Sequence, residues 1–204
     1  MHWLICKERT EIILFLFIWA NAFEERKEII FLSSNEDNWM IRDIMEIRTA
    51  TIADLAQIAA VEAECFPAAE AATKEEFAER IKYYGNHFWL MFEDEKLIAF
   101  VDGFVTDKPD LTDEMYERAE MHDENGAWQM IFGVNTIPAY RKHGYAGQLL
   151  QCAIEDARKQ GRKGLVLTCK EKLIAYYAKF GFENEGISES VHGNVIWYQM
   201  RYKF

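Results

Sequence analysis

The chain has 204 residues, half of them hydrophobic and 14% aromatic, with a formal net charge of −11. Such a composition supports a buried core and excludes a disordered chain. The acidic balance argues against nucleic acid as a partner, because phosphate contacts need basic surface, and mildly favours cationic ligands.

In chain order, residues 1–44 come first and allow several readings. Ile12 to Ala20 is an apolar run, with Lys7 and Arg9 before it and Ala20-Asn21-Ala22 after it, in the manner of a weak signal peptide. Glu8 and Glu11 crowd the basic region and speak against that. The same residues also read as an extra helix packed on a domain, as a loose tail, or as sequence ahead of a start at Met45. The preferred division is an extension over 1–44, dispensable or not native, and a domain over 45–204.

Met45 to Ala50 predicts a strand, and Thr51 caps a helix carrying Ile52, Leu55, Ile58, Ala59 and Cys65 at helical spacing. Phe66-Pro67 breaks it. Thr73-Lys74-Glu75-Glu76 is a capping-box pattern that opens a second helix, ended by Gly85-Asn86. His87 to Glu93 and Lys96 to Thr106 read as a hairpin around Asp94-Glu95, and 107–125 as a polar insert. Trp128 to Thr136 predicts one buried strand. A long helix runs from Gly144 to Gly161, a C′ glycine. Leu165 to Cys169 follows as a strand, then a helix over Glu171 to Phe180, then strands over Phe182 to Ser188 and Asn194 to Tyr202. This order defines an α/β (α+β) domain, a mixed, twisted sheet with helices on both faces.

Chemistry concentrates at Arg141-Lys142-His143-Gly144-Tyr145-Ala146-Gly147. Lying between a strand and a helix, such a turn aims backbone N–H groups outward at a helix N-terminus, where the dipole adds positive character. A diphosphate fits there. Gly133 and Asn135 in an otherwise apolar strand favour a bulge. Tyr176, Tyr177 and Phe180 on the later helix are candidates for packing, and the tyrosines also for proton transfer. Cys6, Cys65, Cys152 and Cys169 show neither CxxC nor metal-ligand spacing, so a reduced, cytoplasmic chain without a metal is expected. No run of about 18 apolar residues occurs, so no membrane span or membrane partner is expected.

These motifs resemble the GNAT superfamily of acetyl-CoA-dependent N-acetyltransferases. Arg141, Gly144 and Ala146 match that family's R/Q-x-x-G-x-G/A loop, with Thr136-Ile137-Pro138-Ala139-Tyr140 leading into it. Within the superfamily, Leu97 to Val101 and Leu167 to Phe182 are most similar to the serotonin (arylalkylamine) N-acetyltransferases. The resemblance implies a mostly antiparallel sheet with a V-shaped splay between its central strands, and acetyl-CoA as co-substrate. Arg141, Lys142, His143, Gly144, Tyr145, Ala146 and Gly147 would then hold the diphosphate. Val134, Asn135 and Thr136 would hold the pantetheine arm, the Val134 N–H polarising the thioester carbonyl. Tyr177 would act as general acid toward the departing thiolate, leaving Tyr176 to packing. One departure is clear: a pair of histidines that serves amine deprotonation in the serotonin enzymes is replaced by Met130 and Phe132.

The resemblance therefore implies direct transfer to a primary amine of a small molecule, arylalkylamine- or polyamine-like, without naming the base. Peptide or protein N-acetylation, and acyl-CoA binding without turnover, remain alternatives; a homodimer is left open. The acidic 107–125 insert reads as a solvated face or as a rim attracting ammonium. Glu62, Glu64 and Glu70 read as helix surface charge or as lining of the amine pocket. His87, His122 and His192 read as ordinary surface or satisfied residues, with His122 the nearest substitute base.

Overall fold

The computed structural model describes residues 3–8, 11–18, 27–35 and 38–204, with side chains from Met45 onward. Twelve strands and five α-helices follow in the order β1 (Trp3–Glu8), β2 (Glu11–Ile18), β3 (Lys27–Asn35), β4 (Asn38–Thr49), α1 (Leu55–Cys65), α2 (Lys74–Tyr84), β5 (Phe88–Glu93), β6 (Lys96–Asp102), β7 (Val105–Thr106), α3 (Glu114–Glu117), β8 (Trp128–Ile131), β9 (Gly133–Thr136), α4 (Tyr145–Lys159), β10 (Gly164–Cys169), α5 (Ile174–Ala178), β11 (Glu183–Ile187) and β12 (Tyr198–Lys203). They form two sheets, β1-β2-β3-β4-β5-β6-β9 and β11-β12-β10-β8-β7. Every pairing is antiparallel except β8 with β10.

Within the apolar run near the N-terminus, Glu11–Ile18 is a strand, so the extra-helix reading of these residues does not hold. Its isoleucines and phenylalanines favour extended chain. The remainder of that run and the Ala20-Asn21-Ala22 motif lie outside the described residues. The strand expected at Met45 begins earlier, at Asn38.

Local chemistry accounts for the elements that frame the site. Glu76 N donates to Thr73 Oγ1 at 3.2 Å and Glu76 Oε2 accepts from Thr73 N at 2.6 Å, closing the predicted capping box of α2, which contributes about 1 kcal/mol. Asp94, at φ 52°, makes the tight β5–β6 turn. Leu149, Leu150, Ala153, Ile154 and Ala157 form the buried stripe of α4. Both α4 and α1 pack on β6, whose residues 97–102 are all buried, so helices cover both faces.

Two predicted strands are each divided between the sheets. The chain leaves β6 at Gly103 and enters β7; it leaves β8 at Phe132 and enters β9. Gly103 permits this, since a Cβ there would lie 1.8 Å from the Met130 carbonyl oxygen. Sequence periodicity registers strand character, not a change of partner, which is why Trp128 to Thr136 reads as a single strand. The helix expected over Glu171 to Phe180 shortens to a 3-10 turn and α5. The polar insert contains one α-helical turn, α3, followed by a 3-10 turn over Ala119–Met121. Among the described residues, no helix is long and apolar enough to cross a membrane.

Candidate active site

The split of β8 from β9 opens the site. β10 pairs Gly164–Leu167 with Trp128–Ile131, and then β9 turns away to pair with β6. Past Leu167 the two central strands diverge and leave a wedge. A cavity of about 350 Å³ fills it, with Val134 on one wall and Thr168, Cys169 and Tyr177 on the other.

The ladder sets the direction of the groups on β9. Asn135 lies opposite Phe100, and Ile137 N donates to Ile98 O at 3.0 Å, two residues further along the same register. Antiparallel pairing alternates inward and outward main-chain groups. Asn135 and Ile137 therefore face β6, while the N–H and C=O of Val134 and Thr136 face the cleft. The Thr136 carbonyl accordingly accepts from Arg141 Nε at 3.0 Å. Asn135, expected with them to hold a pantetheine arm, has a wholly buried side chain instead.

The turn from 141 to 147 has the geometry of an anion cradle. Lys142 (φ 71°) and Gly144 (φ 85°) are both left-handed, and a Cβ at Gly144 would meet nothing within 4 Å, so the main chain there lies open. The first helical bond of α4 runs from Gln148 N to Gly144 O at 3.1 Å. The amides of Ala146 and Gly147, in the first turn of α4, sit at the positive end of the dipole. These groups fit a diphosphate. The side chains do other work: Arg141 folds back on Thr136, and His143 stacks on Tyr145 with centroids 5.6 Å apart. A Cβ at Gly147 would lie 2.9 Å from the Phe180 ring, so that glycine also lets α4 approach the end of α5.

Tyr177 is buried at the cavity wall, packed edge-on to Tyr176 at 5.2 Å and to Phe182 at 6.1 Å. Burial, then the neighbouring Cys169 thiol, pushes its phenol above the ordinary range, so it stays protonated. Burial likewise pushes the Cys169 thiol up to about 11, which leaves it a poor nucleophile.

The carboxylates were only partly legible. Glu64 is exposed, as surface charge should be, but Glu62 and Glu70 line the cavity. Glu70 is held by Lys170 Nζ at 2.8 Å to each oxygen. Glu62 is 6% exposed; one oxygen accepts from Ala72 N at 3.1 Å, while Oε2 is buried with no hydrogen-bond partner among the described residues. Burial, then the charge of Asp102, pushes Glu62 up to about 7. From the insert, Asp113, Tyr116 and Glu117 reach the cavity. Other insert acids serve structure, Asp110 on Arg201 at 2.6 Å and Glu124 on Arg162 at 2.8 Å. Met130 is buried in the core and Phe132 lines the cavity, so neither replaces the missing histidines.

His122 does not reach the cavity. It sits with buried His87 around Glu124, at 3.3 Å and 2.9 Å from that carboxylate. Although this trio has metal-ligand spacing, its protons do not fit a cation. His122 Nδ1 accepts from Val105 N at 3.1 Å, which puts the ring hydrogen on Nε2 and removes that lone pair. Arg162 also occupies the same carboxylate. His192, by contrast, does line the cavity, stacked on Tyr116 at 5.2 Å.

The profile of the Acetyltransferase (GNAT) family matches residues 55–182, and the chain belongs to that family. It is 26% identical over 111 residues to the serotonin N-acetyltransferase of Mesocricetus auratus, covering 54% of this chain and 52% of that protein. The chain thus spans about half the length of this curated relative. Its fold is similar to the loading GNATL domain of CurA from Lyngbya majuscula (TM-score 0.68, 16% identity, 78% of this chain and 97% of that one). It is also similar to Arabidopsis thaliana Naa50 in complex with the bisubstrate analogue CoA-Ac-MVNAL (TM-score 0.59, 17% identity, 78% and 99%).

Proposed function

We propose that this protein is an acetyl-CoA-dependent N-acetyltransferase acting on a primary amine of a small molecule, by direct transfer in a ternary complex. The observation that carries this is Glu62, a buried carboxylate with an unpartnered oxygen, in an acidic cavity that Tyr177 also lines. Acetyl-CoA supplies the activated acyl group. The 142–147 amides hold its diphosphate, and the outward N–H of Val134 donates to the thioester carbonyl oxygen.

An alkylamine titrating near 10 is only about 0.1% neutral at pH 7, a cost of roughly 4 kcal/mol. The cavity lowers that cost through desolvation of the ammonium and through Glu62, which accepts the proton as the nitrogen bonds to the acyl carbon. Tyr177 donates its phenolic proton to the departing sulfur. Every group in this scheme comes from one copy of the chain.

The cavity, about 350 Å³, falls within the range of small-molecule sites. Residues 188–197 cover one side of it. His192 there contacts the Glu70 carbonyl at 3.2 Å, and Ser190 contacts Asp113. That cover supports a small acceptor over a peptide, which needs an open groove. The site residues all fall after residue 61, which supports assigning catalysis to 45–204 and treating 1–44 as dispensable for it. The free thiols Cys65 and Cys169 support a reducing, cytoplasmic setting. Thiol release from acetyl-CoA with arylalkylamines, diamines and short peptides tests the proposal. Release with small amines is expected; release with peptides alone, or with no acceptor despite cofactor binding, would overturn it.

A further inference from the structure

Beneath Glu62 the cavity floor holds an ion pair that the proposed scheme does not use. Arg80 of α2 and Asp102 of β6 are 5% and 1% exposed. Arg80 Nη1 lies 3.3 Å from Asp102 Oδ2, and its Nη2 donates to the Tyr116 carbonyl at 3.0 Å. The guanidinium is sandwiched over the Phe77 and Phe132 rings at 5.3 and 5.5 Å. Asp102 also lies beside Gly133, whose amide favours its charged form, at the point where β9 departs. A Cβ at Gly133 would lie 2.5 Å from Asp102 Oδ1 and 2.9 Å from Asn135 Nδ2, so Asp102 and Asn135 flank one small buried space. Glu62, Arg80, Asp102 and Gly133 all border the same cavity.

A guanidinium alone beside a buried carboxyl stabilises the anion and makes it a weak base. Glu62 shares its cavity with such a group, yet a base for an amine needs the opposite bias. We propose that Asp102, paired with Arg80 and set beside Gly133, is a positioning residue for Glu62: its negative charge offsets that of Arg80 and keeps Glu62 able to act as a base. This deepens the proposed reaction and rests on Glu62 as its base.

The groups facing Glu62 support that assignment. They are Asp102 from β6, Arg80 from α2, Asn135 from β9 and Cys65 on its own helix. Burial and then Asp102 raise its proton affinity, while the Ala72 amide, Arg80 and Asn135 lower it. Tyr84 faces the ion pair from α2 with its phenol protonated, since burial holds it well above the ordinary range. Asp102 itself is raised to about 6 by burial, against the pull of Arg80, so above that pH it carries its charge.

The test follows the carboxyl carbon of Glu62 by NMR in the full chain labelled with 13C-glutamate, its signal assigned by its loss in Glu62→Gln. The pH profile of thiol release is measured alongside. In Asp102→Asn, both the Glu62 titration and the acidic limb of kcat/KM should move down by about one pH unit. Should that variant fail to fold with Arg80 left unpaired, Arg80→Gln/Asp102→Asn removes both charges; the same downward shift, smaller, is expected. A Glu62 signal that titrates at an unchanged pH without Asp102 would overturn the inference. Undiminished activity in Glu62→Gln would instead remove Glu62 as the base, a separable failure.

Discussion

Replacing Glu62 by glutamine should stabilise the protein while disabling it. The carboxyl is 6% exposed and is raised from 4.5 to about 7 in the fold. Below pH 4.5 both folded and unfolded chains hold the proton, and Glu62 costs nothing. Between pH 4.5 and 7 the unfolded chain ionises first, so the folded state binds more protons and stability falls as pH rises. Above pH 7 the penalty is complete. A raised pKa of this size corresponds to about 3 kcal/mol.

Glutamine keeps an oxygen for the Ala72 amide and carries no charge to desolvate. Glu62→Gln should therefore match the wild type near pH 4 and exceed it at pH 8 by up to about 3 kcal/mol, or roughly 6–12 °C in Tm. The same change should reduce kcat/KM by roughly 10²- to 10⁴-fold, the usual contribution of a general base. Paired thermal melts at pH 4 and pH 8, with thiol-release kinetics on the same samples, give both numbers. A stability difference that does not depend on pH, or a variant less stable at pH 8, would refute the burial argument. This is the trade expected where a site holds a charge for chemistry rather than for folding.

Tyr177→Phe keeps the ring contacts with Tyr176 and Phe182 and removes only the proton donor. Turnover should fall roughly 10²-fold or more, while calorimetry shows unchanged acetyl-CoA affinity; equal turnover would remove Tyr177 from the mechanism. Gly144→Ala forces φ 85° on a residue with a Cβ, costing the fold about 1 kcal/mol. Its Cβ projects into open space above the turn, so coenzyme A should bind about tenfold more weakly, or 1.4 kcal/mol, by calorimetry. His122 is held below 6.5 by burial and then by His87. Its contribution is whole above pH 6.5 and is lost as pH falls through the lower folded value. His122→Asn, whose oxygen can still accept from Val105 N, should gain in urea midpoint relative to the wild type as pH is lowered from 7 to 5; a difference between the two that does not change with pH would refute this.

Short-range chemistry defines the local elements and the strand-to-helix turn ahead of α4. Thr73 and Glu76 define a capping box from four residues, Asp94 marks its turn, and Gly144 marks a strand-to-helix turn, because hydrogen bonds to nearby backbone and left-handed φ are short-range requirements. The helix that carries Tyr177 was legible for the same reason, ended by Gly181 at φ 95°. Tertiary structure alone decided the rest. Gly133 and Asn135 mark an irregularity in Trp128 to Thr136, but nothing local tells that the chain changes sheets at Phe132, since both halves are extended. Glu62, Glu64 and Glu70 are alike in sequence. Only packing against β6 and β9 buries the first beside Asp102 and Arg80, ties the third to Lys170 and leaves the second in water. A carboxyl's proton affinity depends on what surrounds it in space, and those neighbours lie 18 and 40 residues away along the chain.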